Sequence, residues 1–589
     1  MAEAGASSDD KLDHHMATHD DTTVRDSVVS IGDHVSCRTS TDDHHPREDM
    51  PPAHPNTSST ALKNITDECP NYYTNNKESS SSSSSSGANL VLLGRPSNRE
   101  VWLWYLYDLC SYFIHTTLVP VLFPLIISQI LKLPADSSTN KLINSKGILC
   151  GGKQMNLYEA LTKRFISVNS STYSALEWTS LSWGLGLILA APALVFVSSP
   201  LDHGRQPLLI AATAIATGAF FCLPTGFFKV TWIFPPYIAL IVAASTVAAA
   251  SHTRQLGLMV KGFTGPYLQK SNFQLRRGVC SWLSLYATAA GCLGSAIMSA
   301  FTYHMLRHKD GRFVSLWVVS IFSGLKWLVG ISHVIAIKPG AAPASPPTTP
   351  VPHFFSIFKY PHALGAVTAA FISSFTTTCI FISTVLYLLG ELCFSPVTIL
   401  YFWLLYYLLP LFSLPLMQTL QQVIKGNGVK MYLLGFLLSL GTTGVGFYFK
   451  GKHWGRSQVL AFAAIQSTSA GVLHAFGRVL VVDCCPQGRE GVFSGWYSWG
   501  RGVGTCIGFA VASSIPGNIS TSYGVAFWTA MAGALLLIYA NISDFGGAMA
   551  AKHVFTGDHD EEHHRQGKGS PAADDHSLEL DSSYAEKKV

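Results

Sequence analysis

Residues 360–389 read YPHALGAVTAAFISSFTTTCIFISTVLYLL, thirty consecutive positions without an Asp, Glu, Lys or Arg. An α-helix rises ~1.5 Å per residue, so ~20 apolar residues cross the ~30 Å hydrocarbon layer of a bilayer. A surface helix of a soluble protein would carry a polar stripe, and barrel strands would be shorter and would alternate. This stretch is apolar on every side and longer than one crossing needs, so it predicts a membrane helix.

Windows of the same kind recur on both sides of it. Five follow, at 396–420, 429–449, 457–482, 492–514 and 522–544, and six precede, at 102–131, 175–199, 207–228, 231–253, 279–304 and 313–337. Charged residues make up 13% of the 589 positions, about half the ~25% of a soluble domain. The charge collects outside the windows. Residues 1–100 hold the run Ser79–Ser86 and the cluster Asp42-Asp43-His44-His45-Pro46, and residues 546–589 hold Asp558–His564. Such segments bury too little apolar surface to offset ordering entropy, so two disordered cytosolic tails are expected. Their histidines show no metal-ligand spacing. No apolar segment in the first ~85 residues suggests a cleavable signal peptide.

The segment Pro339–Pro352 carries six prolines. It divides the chain into a six-helix half over 101–338, a stiff linker over 339–357 and a second six-helix half over 358–545. The expected class is therefore an all-α membrane protein of twelve transmembrane helices. Two six-helix halves around a midplane site is the layout of the major facilitator superfamily. Lys261, Lys270, Arg276, Arg277, Lys425, Lys430 and Arg489 fall on one side together with both termini, which reads as cytosolic. The opposite loops carry Arg307, Lys309, Arg312, Lys450, Lys452 and Arg456, and also the sequons at Asn169 and Asn518. The twelve cysteines are scattered and show neither zinc spacing nor a disulfide framework. No block of Lys and Arg suggests nucleic acid as a partner. No GxxxxGK[ST], Gly-x-Ser-x-Gly or His-Glu-x-x-His sequence points to an enzyme or to a cofactor.

Three stretches carry a resemblance. The first helix opens Trp104-Tyr105-Leu106-Tyr107-Asp108, the second ends at Asp202-His203-Gly204-Arg205, and the tenth runs through Arg478 into Pro486-Gln487-Gly488-Arg489-Glu490 and Phe493-Ser494-Gly495-Trp496-Tyr497. Together they resemble the vacuole effluxer family of the major facilitator superfamily, which comprises autophagy-related vacuolar amino-acid exporters. The likeness covers about residues 100–545. It implies export of small amino acids from vacuole to cytosol, with a proton gradient as driver. The chain departs from the family at His474, where Gln is usual, at Gly477, where Ser is usual, and in the longer spacing from Pro192 to Asp202.

Ionisable groups inside a membrane are costly and need a reason. Asp108, in the first helix, reads either as a proton-coupling carboxylate or substrate-amine contact, or as an acid paired with a nearby cation to hold two helices together. Arg478 and His474 are four apart on one helical face. Arg478 reads as a carboxylate contact or as an inner-gate residue paired with Asp483 or Asp108, and His474 as a proton-sensing group. Lys326, midway along the sixth span, reads as a substrate contact or an internal counter-charge. Asp202, Gly204 and Arg205 resemble the gating loop of the superfamily, which implies that Asp202 faces the N-terminal end of a helix in the other half, the eleventh being favoured. Gly500, Gly504 and Gly508 repeat every four residues and put small side chains on one face for close packing or sliding. The expected partners are a small-molecule substrate, the lipid bilayer and protons. A transporter of another solute, such as a sugar or organic anion, and a non-transporting membrane sensor or scaffold remain open readings of the same sequence.

Overall fold

The protein was analysed as a computed structural model that describes residues 95–131, 152–163, 165–168, 170–204, 206–227, 230–265, 268–270, 273–308, 316–336, 353–449, 455–516 and 518–555. The expected tails through residue 94 and beyond 555, most of the Pro-rich linker, Asn169 and Arg205 lie outside the described residues.

Twelve helical spans fill the twelve expected places among the described residues. They are α1 (Asn98–Ile130), α2 (Ala175–His203), α3 (Pro207–Cys222), α4 (Phe234–Thr264), α5 (Phe273–His308), α6 (Leu316–Ile335), α7 (Pro361–Gly390), α8 (Pro396–Val423), α9 (Gly428–Tyr448), α10 (Arg456–Asp483), α11 (Glu490–Ser514) and α12 (Ile519–Tyr539). Ten of the twelve positions hold helices long and apolar enough to cross a membrane. The others are α3, with 16 residues, and α11, with four glycines between Gly500 and Gly508 and an arginine among them.

Helix starts follow local chemistry. Ser97 and Glu100 close a capping box at α1, Ser174 and Glu177 close another at α2, and Asn427 and Asn518 cap α9 and α12. Within α1, the nine residues Ile114–Leu122 adopt a π-helical register around Pro120, which lacks an N–H to donate. Gly204 needs its glycine for space, because a Cβ there would meet the Pro200 carbonyl oxygen.

The packing repeats. In the first half α1 packs on α5 and α6, α2 on α4, and α3 on α4 and α6; in the second half α7 packs on α11 and α12, α8 on α10, and α9 on α10 and α12. Adding six to each helix number maps one set onto the other. The contacts between halves, α2 with α11, α5 with α8, α4 with α11 and α5 with α10, exchange under the same shift. This is the signature of two related six-helix halves facing each other across a pseudo-two-fold axis. Large apolar side chains cover the outer faces: Ile188 is 71% exposed, Phe196 70%, Phe412 78% and Tyr539 79%. Only lipid makes so continuous an apolar surface tolerable.

Two expectations are corrected. The chain does not become a tail at Gly546: Asp544–Ala550 is helical, and Val554–Phe555 pairs in parallel with Leu268–Gln269 beside α5. The sequence showed no disulfide framework, yet Cys393, in the turn after α7, is disulfide-bonded. The eight other described cysteines are free and buried.

His553 locks the C-terminal segment in place. Its Nε2–H donates to the Cys485 carbonyl at 2.5 Å, and burial, aided by Arg276 and Lys261, pushes its pKa down to about 3. A histidine held neutral in the fold stabilises it fully above its unfolded pKa of ~6.5, and that stability is lost as pH falls from there. The protection factors of the amides over residues 544–555, taken relative to intrinsic exchange, are therefore expected to fall about tenfold between pH 7.5 and 5.5. His553→Gln should flatten that dependence. An exchange rate that follows only the intrinsic pH law in the unsubstituted protein would refute the assignment.

Candidate functional site: a cavity between the halves

Along α1, Trp104, Asp108, Ser111, Tyr112 and His115 recur at intervals of three or four, so one face of the helix points to the centre. On α10 Ser467, His474 and Arg478 share a face at intervals of seven and four, and on α11 Tyr497 and Arg501 are four apart. Two adjoining cavities result, of about 90 and about 30 Å³, which share Tyr112, His115, His474 and Arg501 in their walls. The larger is also lined by Ser373 and Thr377 of α7 and Tyr407 of α8, and the smaller by Asp108, His252 and Arg478.

The smaller cavity ends on a buried ion cluster. Arg478 donates from Nη1 to Asp108 Oδ2 at 2.8 Å and from Nη2 to Thr288 Oγ1 at 2.9 Å. His252 Nε2 lies 3.1 Å from the other carboxylate oxygen, and its ring is held between Trp104, stacked at 4.5 Å, and Tyr107 at 4.3 Å. Arg478 also lies over the Trp104 ring. Four helices, α1, α4, α5 and α10, thus meet on one carboxylate and one guanidinium.

From this cluster toward the side where the chain enters α1, a series of ion pairs among the described residues joins the two halves. Arg276 of α5 pairs with Asp483 of α10 at 3.4 Å, and Arg277 with Asp544 at 2.8 Å. Lys261 of α4 pairs with Glu490 at the start of α11. Asp202, at the end of α2, accepts from the backbone N–H of Gly491 and, at 3.3 Å, of Val492. A carboxylate on the first turn of a helix meets the positive end of its dipole. His353 Nε2, entering α7, lies 2.9 Å from the same carboxylate. The molecule is closed on this terminal side.

The structure brings Asp108, His474 and Arg478 to one cavity wall and leaves Lys326 outside it. Lys326 Nζ donates to the Gly294 carbonyl at 2.6 Å, at the junction of α6 with α5. Asp202 and Gly204 belong to the terminal-side closure, not to the cavity. Gly504 and Gly508 lie against the α7 backbone, where a Cβ would run into the carbonyl oxygens of Phe371 and Phe375, and Gly500 faces Val367. The cavity residues that sequence reasoning missed are His115, His252 and Arg501. The signal was present for Arg501, the single Lys or Arg between Val492 and Ser514.

No protein-family profile and no curated protein matches the sequence. Among solved structures the chain is similar to FucP, a major facilitator superfamily transporter in the outward conformation, at 11% identity and TM-score 0.50, over 76% of this chain and 99% of that one. The human organic anion transporter MFSD10 (TETRAN) aligns over 75% of this chain and 100% of its own at 12% identity and TM-score 0.48. A bacterial homologue of the iron transporter ferroportin, in its outward-facing state, aligns over 76% and 99% at 12% identity and TM-score 0.49. The likeness to FucP is one of fold. The architecture is the major facilitator fold of a multi-pass membrane protein.

Proposed function

We propose that the chain is a secondary active transporter that moves a small solute by alternating access. The observation that carries this reading is the closure of the terminal side. It consists of ion pairs and one helix-end contact, each joining the first six helices to the last six or to the short helix that follows them, beneath a polar cavity. Such contacts have two states, made and broken, which is what a gate between rocking halves requires. We place this side in the cytosol. The disulfide at Cys393, on the opposite side, supports the placement, because disulfides persist in oxidising compartments.

The cluster also offers a coupling site. A proton arriving at Asp108 removes the charge that holds Arg478 and loosens α1 from α10. A pH gradient would then bias the gate. Asp108→Asn is expected to abolish gradient-driven flux in proteoliposomes, and normal driven flux in a folded Asp108→Asn protein would remove the coupling role. The resemblance at Pro486–Glu490 and Phe493–Tyr497 extends the proposal to export of small amino acids from a vacuole. Those residues lie at the closure, so this extension rests on the resemblance and not on the cavity. The test is uptake of radiolabelled amino acids, sugars and organic acids by proteoliposomes, with and without an imposed pH gradient. Flux of one class is expected, and none across the panel by folded protein would overturn the reading.

A further inference from the structure

Two guanidiniums, Arg478 and Arg501, line the adjoining cavities, and one carboxylate, Asp108, faces them. Arg478 already holds that carboxylate at 2.8 Å. Arg501 has no carboxylate within ion-pair distance among the described residues, and its Nη2 donates instead to His115 Nε2 at 3.1 Å. By accepting that bond, His115 is fixed as the neutral tautomer with its proton on Nδ1. It steers the guanidinium and leaves its charge uncancelled. An unpaired cation at membrane depth is costly, so it persists where something else supplies the counter-charge.

We propose that Arg501 is the anchor for the carboxylate of the transported solute, and that the cavity selects small organic monoanions. The proposal rests on the transporter reading and stands against its extension to neutral amino acids. The planar fork of a guanidinium matches a carboxylate with two parallel N–H···O bonds. Hydroxyl groups of Ser373 and Thr377 and the phenols of Tyr407 and Tyr497 stand in the same walls, but Thr377 and Tyr497 already donate to the Ser373 and His474 carbonyls, so the guanidinium supplies the charged donor of the site. The cavity's size fits a molecule of few heavy atoms. A zwitterion would bring an ammonium group as well, and the one nearby acid is occupied by Arg478 at 2.8 Å and approached by His252 at 3.1 Å. Recognition of net negative charge follows. The assignment also replaces Lys326 and Arg478 as carboxylate contacts, since the first is tied to Gly294 and the second to Asp108.

The test uses the purified full-length protein, first in detergent for binding by calorimetry and then in proteoliposomes for flux. The probes are propionate, lactate and pyruvate, set against alanine, a choline-type cation and glucose. The monocarboxylates are expected to bind and to be taken up. Arg501→Gln should weaken their binding ~10–100-fold, the loss expected for hydrogen bonds to a charged group, while the unliganded melting temperature stays near the parent value. Arg501→Lys keeps the charge without the fork and should fall between the two; it also serves if Arg501→Gln folds poorly. Equal or stronger binding of alanine, the cation or glucose, or monocarboxylate binding untouched by either variant, would overturn the anion site. Arg501-dependent binding without any flux would instead sink the transporter reading and leave the site standing.

Discussion

Arg478→Gln is expected to lose ~3–5 kcal/mol of stability, because it leaves the Asp108 carboxylate buried and unpaired. The pair is nearly sealed from solvent, with side-chain exposures of 2% for Arg478 and 8% for Asp108. His252 leaves Asp108 a single ring nitrogen at 3.1 Å in place of the guanidinium contact. The variant should unfold at a markedly lower temperature in detergent. The double substitution Asp108→Asn with Arg478→Gln should recover much of the loss, because it removes both charges together. The same break frees α1 from α10, so thiol reagents should reach the terminal-side interior of the single variant faster than that of the parent. A parent-like melting curve for Arg478→Gln would contradict the buried pair. Failure of the double variant to recover would assign the effect to Thr288 and Trp104, the other partners of the guanidinium.

Gly504→Ala is the second large effect. One methyl group at that position would meet the Phe371 carbonyl oxygen on α7, a backbone atom that cannot swing aside. The α7–α11 approach repeats four residues on, where Gly508 meets Phe375, so a displacement at one point opens the whole seam. Overpacking of a close helix contact costs ~1–3 kcal/mol even where neighbours yield, and here the neighbour is main chain. Little folded, monodisperse protein is expected. Gly184→Ala is the matched control: nothing lies within 4 Å of its Cβ position, so it should express as the parent does. Equal yields from the two variants would mean that the seam is looser than the geometry shows.

The spans were legible because their signal is local. An unbroken apolar stretch such as 360–389 permits few structures in any protein. Spacing also told which face of a helix matters, as with Gly500, Gly504 and Gly508, but not that α7 lies against that face. Pairing was harder, since it joins residues far apart in the chain. Asp108 and Arg478 were each conspicuous as charges inside spans, and their pairing was one of several readings. Lys261, Arg276 and Arg277 read as loop cations that mark a membrane side; in the fold they meet Glu490, Asp483 and Asp544. Lys326 was misleading for a physical reason. Its depth marks it as a residue with a partner, but a backbone carbonyl of α5 fills that need as well as a substrate would. Residues 546–555, GGAMAAKHVF, were read as tail because they are too short and too poor in large apolar side chains to form a span, whereas their order comes from contacts with Cys485 and with Leu268–Gln269.

These contacts give the gate its logic. Asp202 on the α11 N-terminus and Lys261 on Glu490 close adjacent points of one seam, where α2 and α4 meet α11. Opening that seam breaks them together, while the α7–α11 glycine seam lies within one half and moves as a unit. The most direct measurement therefore links positions 261 and 490. Lys261→Cys and Glu490→Cys are introduced together, the cysteines are joined by a short reducible bis-thiosulfonate, and solute flux is measured in proteoliposomes before linking, after linking and after reduction. Flux is expected to stop when the link forms and to return when it is cut. Undiminished flux through the linked protein would contradict alternating access through this gate.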